Sequence, residues 1–160
     1  MKRLLILFFI IFLISCGHKK PIASFHKLDI SYDSGWEQSF SIIIDSIGKV
    51  LYSKGRWHQS FFSAQLSERD LLQLDSAYQR TPFKRYLESY TQDITDASSF
   101  QIILPDFNNK RIYVYGAGPA RLRTFMNFLC EISERLTLKS IDSVVVFESR
   151  KGMQVPTPLH

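Results

Sequence analysis

The chain has 160 residues, 45% of them hydrophobic, and its formal net charge is +5. That length is enough for one domain with its own core and is short for two. Two of the basic residues, Lys2 and Arg3, stand at the start of the chain, so the body carries little excess charge. The composition therefore excludes a basic stripe of the kind that binds nucleic acid.

The first 15 residues have the layout of a secretory leader. Lys2 and Arg3 precede an uncharged run from Leu4 to Ile14, which is the usual order of a basic and an apolar segment. A helix of about 11 residues would reach about 17 Å, against a hydrocarbon core of about 30 Å. The run is too short to span a bilayer, and we predict that it is cleaved off.

The tetrad Leu13-Ile14-Ser15-Cys16, followed by Gly17, resembles the lipobox of bacterial lipoproteins. The resemblance implies removal of residues 1–15, a thioether-linked lipid on Cys16, and acylation of the new amino terminus, for example by palmitate. Two or more acyl chains hold a protein stably on a bilayer, whereas one binds only marginally. Because no acidic residue follows the cysteine, attachment to the periplasmic face of the outer membrane is implied. An uncleaved anchor and a plain secreted protein are the alternatives.

The second cysteine, Cys130, would then have no partner within the chain, so no disulfide is expected. It is spaced from Leu122, Phe125, Met126 and Leu129 in a way that places it at the edge of a helix's apolar face. Free cysteine in such a position is usually buried. We therefore predict that Cys130 belongs to the core.

Alternating or short apolar runs beside turn residues predict seven strands. They lie at about 25–33, 39–45, 50–53, 59–66, 99–105, 110–116 and 142–149. Apolar spacings of three and four predict two helices. The first has Ser67 as its N-cap and stops near Thr81, and the second has Pro119 at its first position and continues to about Leu136.

These elements predict one domain over 25–149, preceded by a tether at 16–24 and followed by a flexible tail at 150–160. The order is strands, helix, hairpin, helix and strand. It predicts an α+β fold, with an antiparallel sheet of about five to seven strands and two main helices packed on one face.

The motifs of this domain resemble those of an uncharacterised, domain-of-unknown-function family of small bacterial lipoproteins. The shared positions lie between about Phe25 and Leu138, and they are Gly35, Phe40, Gly48, Tyr52, Gly55, Thr95-Asp96 and the sequence YGAGP at 115–119. The family pattern has a cysteine where this chain has Glu37, so no metal, redox or disulfide role of that cysteine carries over. The resemblance implies the fold and the anchoring, and it leaves the activity open.

Residue patterns for metal or cofactor binding are weak. The histidines, His18, His26, His58 and His160, are too widely spaced to be neighbours on one helix or one strand. A zinc site needs three or four convergent ligands, so we predict no metal and no cofactor. The sequence GAGP at 116–119 lacks the third glycine of the dinucleotide fingerprint, and it predicts a strand end and a helix start rather than an anion site.

One irregular segment, Tyr86 to Asp96, gives an alternative function. Asp93 and Asp96 could form a carboxylate pair there, although aspartate is common in polar turns. The alternative to a binding module is therefore an enzyme or a small-ligand-binding protein with its site in this segment.

Four aromatic residues outside the predicted core stripes are candidates for an interaction surface: Trp36, Trp57, Tyr86 and Tyr90. Exposed together they would form a patch typical of interfaces, and the alternative is that they cover the open sheet face. The leading prediction is a non-enzymatic binding or interaction module of the cell envelope. The lipid bilayer would hold it through acylated Cys16, and another envelope protein is the expected partner; the oligomeric state stays open.

Overall fold

The computed structural model describes residues 20–35, 38–56, 58–95 and 97–153. The predicted lipidation site Cys16 and the aromatic candidates Trp36 and Trp57 lie outside these residues. Within them the chain forms a mixed α+β fold of two α-helices and one eight-stranded sheet. In the part of the chain that the structure describes, no helix has both the length and the apolar character needed to cross a bilayer.

The elements follow one another in the following order. They are β1 (Lys27–Asp33), β2 (Ser39–Asp45), β3 (Lys49–Lys54), β4 (Ser60–Gln65), α1 (Glu68–Arg80), β5 (Ser89–Thr91), β6 (Ser99–Leu104), β7 (Lys110–Tyr115), α2 (Ala120–Arg135) and β8 (Lys139–Ser140). Short 3-10 turns occur at Phe83–Arg85, Pro105–Phe107 and Glu148–Arg150.

The strand order across the sheet is β5-β7-β6-β1-β2-β3-β4-β8. The prediction of an antiparallel sheet with five to seven strands was wrong in two respects. The sheet has eight strands, and β5 pairs with β7 in parallel. After α1 the chain reaches the edge of the sheet beside the start of β7, so β5 runs in the same direction as its neighbour.

The core lies on one face of the sheet. Alternate residues of the central strands point to this face, and cross-strand pairs such as Ile30 with Ile42 and Ile102 with Ile112 form its centre. Both helices contribute buried residues to the same cluster, among them Leu74 of α1 and Leu129 of α2. Covering one sheet face with helices removes a continuous apolar surface from water.

The two helices run antiparallel to each other. Helix α1 begins at its predicted N-cap, because the Ser67 side chain accepts a hydrogen bond from the Asp70 amide at 3.1 Å. Asp70 in turn forms an ion pair of 2.9 Å with Arg135 in the last turn of α2. Pro119 stands at the N-cap of α2, so this helix begins at Ala120, one residue later than predicted.

The strand predicted at 142–149 was wrong. Residues 142–147 are irregular, Glu148–Arg150 form a 3-10 turn, and only Lys139–Ser140 pair with the sheet, as β8. Residues 147–153, the C-terminal strap, instead cross the face of the sheet opposite the helices. Residues 150–153, which the sequence assigned to the tail, continue this strap.

The strands define two ends of the sheet. The turn end carries the β2–β3 turn at 46–48 and the β6–β7 turn at 105–109. The loop end carries the connections from β1 to β2, from β3 to β4, from β5 to β6 and from β7 to α2. A strand of seven residues at about 3.3 Å each separates the two ends by about 20 Å.

Candidate functional site

A cleft of about 440 Å³ opens at the loop end of the sheet. One wall is formed by the start of β2 and the end of β3, and the other by the end of α2 and the segment after it. The lining residues are Gln38, Ser39, Phe40, Tyr52, Lys54, Gly55, Arg56, Ser133, Glu134, Leu136 and Leu138. This volume lies in the range of small-molecule sites.

Two aromatic rings form the floor of the cleft. Phe40 and Tyr52 are stacked, with centroids 5.6 Å apart and an interplanar angle of 17°. Burial raises the pKa of the Tyr52 hydroxyl to about 12, and the side chain of Ser133 opposes this by hydrogen bonding. Tyr52 is therefore neutral at physiological pH and serves as a hydrogen-bonding aromatic surface.

The rim of the cleft carries two cations with different surroundings. The Arg56 guanidinium donates to Asp33 Oδ2 at 3.0 Å and to the Gly35 carbonyl at 2.6 Å, and it also forms an ion pair with Asp33 Oδ1. Its charge is thereby compensated within the protein. Lys54 is exposed and forms no ion pair within the described residues, so its ammonium is available to a ligand.

The backbone at Gly55 permits the tight turn of this rim. Gly55 has φ +102°, and an ideal Cβ at this position would lie 2.4 Å from the His58 carbonyl oxygen. Only glycine avoids that contact and adopts this backbone conformation readily. Phe40, Tyr52 and Gly55, three positions that carry the family resemblance, thus line one cleft.

The second face of the sheet carries a row of polar side chains. Cross-strand pairs join Ser53 to Ser41, Ser41 to Ser31, Ser31 to Gln101, and Gln101 to Tyr113. We call these five residues the polar row. Ser31, Ser41 and Ser53 are 0% exposed and Gln101 is 2% exposed, although burial of polar groups is costly unless they are hydrogen-bonded.

The C-terminal strap satisfies the middle of the polar row. The hydroxyls of Ser149 and Ser31 share a hydrogen bond of 2.7 Å, and Ser31 shares another of 2.7 Å with Ser41. Gln101 donates to the Ser149 carbonyl at 2.7 Å. Asp29, next to the row on β1, accepts from the Ser149 hydroxyl at 2.6 Å and from the Glu148 amide at 2.9 Å.

Burial shifts the pKa of two charged residues at the strap, Asp29 beneath it and Arg150 within it. Burial raises the pKa of Asp29, and hydrogen bonds from Ser149 and Glu148 oppose this rise. Burial likewise lowers the pKa of Arg150, while Asp33 opposes the change. Arg150 donates to Ser39 Oγ at 2.8 Å, so the strap also contacts the rim of the cleft.

The structure describes two of the four aromatic candidates. Tyr86 and Tyr90 are half-buried and meet edge to face, with centroids 6.4 Å apart, and Tyr86 also contacts Phe83 of the core. The Tyr90 hydroxyl accepts a hydrogen bond from the Leu87 amide at 2.9 Å. These two rings extend the core at the β5 edge, and their role in an interaction surface stays a prediction.

The Tyr86–Asp96 segment is more regular than the sequence suggests, because it contains β5. Asp93 is exposed, whereas Asp96 lies outside the described residues. The amide of Ala117 in the GAGP turn binds Gln92 Oε1 at 3.0 Å, and that of Gly116 binds the Ser98 carbonyl at 3.0 Å. Two amides of this turn are therefore hydrogen-bonded within the protein.

Cys130 is half-buried and packs against the core cluster. Burial raises the pKa of its thiol to about 11, with Glu134 and Glu131 adding to the effect. Since the thiolate is the nucleophile, this rise in pKa lowers the reactivity of Cys130 at neutral pH. Within the described residues, no cluster of three or more His, Cys, Asp or Glu side chains could hold a metal ion.

Sequence reasoning missed the polar row and the strap. The alternation in β1 separates Leu28 and Ile30 from Asp29 and Ser31. A polar face of this kind is normally predicted to be exposed to water, whereas here it is buried. The amino-acid sequence does not indicate that residues 147–153 pack on that face of the sheet. The local signal is Ser41, a polar residue between Phe40 and Ile42 in the sequence SFSIIID at 39–45.

The fold defines an α+β protein built on one mixed sheet, with helices on one face and a strap on the other. Residues 24–133 match the model of a domain of unknown function, DUF6438, and the chain belongs to this family. The expectation of a domain-of-unknown-function family is thereby confirmed. No curated protein and no solved structure matches the chain.

Proposed function

We propose that this protein is a lipid-anchored, non-enzymatic binding module of the bacterial cell envelope. Acylated Cys16 holds it on the periplasmic face of the outer membrane, and the cleft at the loop end receives its ligand. The observation that carries the proposal is the position of the tether, which joins the domain at the turn end, opposite the cleft.

The contacts of the first described residues support this arrangement. The Ala23 amide donates to the Ser46 carbonyl at 2.8 Å in the β2–β3 turn. Ser24 binds Asp75 of α1 through its amide and its hydroxyl, at 2.7 Å and 2.6 Å. The seven residue steps from Cys16 to Ala23 span at most about 25 Å, so the turn end stays near the bilayer.

The chemistry of the cleft favours binding over catalysis. Tyr52 is held neutral by burial, and Arg56 is committed to Asp33 and the Gly35 carbonyl. The cleft offers a ligand an aromatic floor, hydroxyl groups, the ammonium of Lys54 and the carboxylate of Glu134. Such a combination orients a ligand with few polar groups on a largely apolar surface.

The anchor is tested by detergent phase partitioning of the full chain expressed in a Gram-negative bacterium. Cys16→Ala should move the protein from the detergent phase to the aqueous phase, because the acyl chains supply the membrane affinity. Cys130→Ala is the matched control and should stay with the detergent. Unchanged partitioning of the Cys16 variant would refute the lipid anchor.

The cleft is tested by site-specific photo-crosslinking in intact cells. A photoreactive side chain replaces Gln38, an exposed residue of the cleft, or, as control, Lys49 at the opposite end of the sheet. The proposal expects a discrete adduct at position 38 that is absent at position 49. Equal labelling at both positions, or none at position 38, would reject the cleft as the binding site.

A further inference from the structure

The polar row is longer than the strap that covers it. The strap bonds to the middle of the row, at Ser31 and Gln101, and reaches Ser41 through Ser31. At the two ends, the hydroxyls of Ser53 and Tyr113 are buried and make no hydrogen bond within the described residues. Five residues on adjacent strands span about 19 Å, and the strap satisfies only the central part.

The row and the strap also differ in their relation to the family domain. All five residues of the row, and Asp29 beside it, lie within residues 24–133, which match the family model. The strap at 147–153 lies beyond the match. The polar row therefore lies within the matched residues, whereas the segment that covers it lies outside them.

The connection to the strap is weakly held. After Ile141, whose amide donates to the Phe61 carbonyl at 3.0 Å, residues 142–146 make no backbone hydrogen bond within the described residues. Val144 and Val146 are 79% and 61% exposed. Segments with few buried contacts and few backbone hydrogen bonds open at a lower free-energy cost than the global fold.

We propose that the polar row is a peptide-binding groove and that the strap is its intramolecular occupant. The ligand is a segment of another protein that adopts the same 3-10 turn as Glu148–Arg150 and has the chemistry of Phe147 to Arg150: an aromatic residue, a hydroxyl two positions later, and an arginine next. The aromatic side chain takes the place of Phe147, which is 4% exposed. The hydroxyl binds Asp29 and Ser31, and the arginine binds Ser39.

The Ser–Arg pair specifies the occupant through charge and geometry. The carboxylate of Asp29 accepts from one hydroxyl and from the Glu148 amide, which fixes the register of the segment. Arg150 then reaches Ser39 Oγ and, at 3.4 Å, the Arg56 carbonyl, with Asp33 nearby as its counter-charge. A ligand that also reaches Ser53 or Tyr113 would satisfy hydroxyls that the strap leaves unpaired.

The test uses the full chain in detergent micelles and a fluorescein-labelled peptide of residues 143–153. Ser149→Glu should displace the strap, because it brings a second carboxylate against Asp29. Ser143→Glu, on the exposed connection, is the matched control with the same change in charge. Fluorescence anisotropy should show at least about 10-fold tighter peptide binding to the Ser149 variant, since the tethered strap no longer competes.

Two further changes test the specificity of the groove. Adding Asp29→Asn to the Ser149 variant should abolish the gain, and so should a peptide with alanine at positions 149 and 150. If the Ser149 variant is folded by near-ultraviolet circular dichroism and binds the peptide no better than the Ser143 control, the groove proposal is wrong.

Hydrogen exchange of the unmodified chain covers the case in which the Ser149 variant does not fold. The amides of Glu148 and Ser149 should exchange at least about 100-fold faster than those of β1, through opening of the strap alone. Equal exchange rates would mean that the groove opens only on global unfolding, and they would overturn the proposal. Neither experiment depends on Cys16, so their failure would leave the lipid anchor standing.

Discussion

At the scale of single residues, the polar row places satisfied and unsatisfied hydroxyls side by side. Ser41 and Ser53 are cross-strand neighbours and are both 0% exposed. Ser41 shares a hydrogen bond of 2.7 Å with Ser31, whereas Ser53 has no partner in the described part of the chain. The same chemical group thus stabilises the fold at one position and costs free energy at the next.

Replacing these two serines by alanine should have effects of opposite sign. Ser41→Ala removes a buried hydrogen bond and leaves Ser31 short of a partner, so the free energy of unfolding should fall by about 1 to 2 kcal/mol. Ser53→Ala removes an unpaired hydroxyl and should leave stability unchanged or raise it by up to about 1 kcal/mol. Urea titrations measure both variants, and a loss at Ser53 equal to that at Ser41 would contradict this assignment.

The buried carboxyl of Asp29 should make stability depend on pH. Burial raises its pKa above the ordinary value of 3.8, so the folded state binds the proton more tightly than the unfolded state. Its contribution to the free energy of unfolding is therefore largest below pH 3.8 and falls as pH rises through the raised pKa.

Asp29→Asn should remove this component of the pH dependence. Urea titrations between about pH 4 and about pH 7 should show a smaller decline in stability for the variant than for the unmodified chain. Identical slopes would mean that the Asp29 pKa is the same in the folded and unfolded states.

At the scale of single residues, the sequence identifies which positions alternate between polar and apolar. It does not distinguish a polar face covered by water from one covered by the strap, because both have the same pattern.

At the scale of elements, a sequence signal predicted correctly where the residue that gives the signal also makes the stabilising contact. Ser67 predicts the start of α1 because its hydroxyl accepts from the Asp70 amide. Three consecutive valines predicted a strand at 142–149, yet residues 142–146 make no backbone hydrogen bond to another strand within the described residues. Strand propensity describes a fit to a pleated surface, and it cannot supply the missing neighbour.

The turn at Gly55 offers a test of how one element shapes the cleft. Gly55→Ala should destabilise the fold by more than about 2 kcal/mol, because a Cβ meets the His58 carbonyl and the backbone has positive φ. Gly152→Ala is the matched control, since Gly152 has φ +73° but nothing within 4 Å of an added Cβ. It should cost only about 1 kcal/mol.

Thermal or urea unfolding measures both glycine variants. Equal losses would show that backbone conformation alone, rather than the close approach to His58, requires glycine at position 55. The sequence could mark this glycine as a turn residue. It could not reveal that the turn forms the rim of a cleft, because Ser133 and Glu134 of α2 reach the same place only in the folded chain.

At the scale of the whole molecule, the order of elements predicted the α+β class of the fold. It did not predict the number of strands in the sheet. The short strands β5 and β8 have three and two residues, too few for a periodic signal. The two-ended arrangement likewise depends on strand directions, which place the tether contact at Ser46 and the cleft at opposite ends. No local pattern encodes that distance.

The two-ended arrangement predicts a gradient of distance from the membrane. In a Cys130→Ser background, a donor dye attached through Lys49→Cys or Lys54→Cys is paired with an acceptor in the lipid headgroups. Transfer should be more efficient from position 49, because it lies at the turn end beside the tether. Greater efficiency from position 54 would place the cleft against the bilayer and contradict the proposed function.

The short outer strands also bear on crowding. Strand β7 is paired along three positions by β5, and β4 along two by β8, so neither margin of the sheet presents a long open ladder. Long unpaired margins are where neighbouring copies join into aggregates. On the proposed lipid anchor, copies of the protein would be confined to two dimensions and would meet far more often than in solution, and we expect these two small strands to limit edge-to-edge pairing at such encounters.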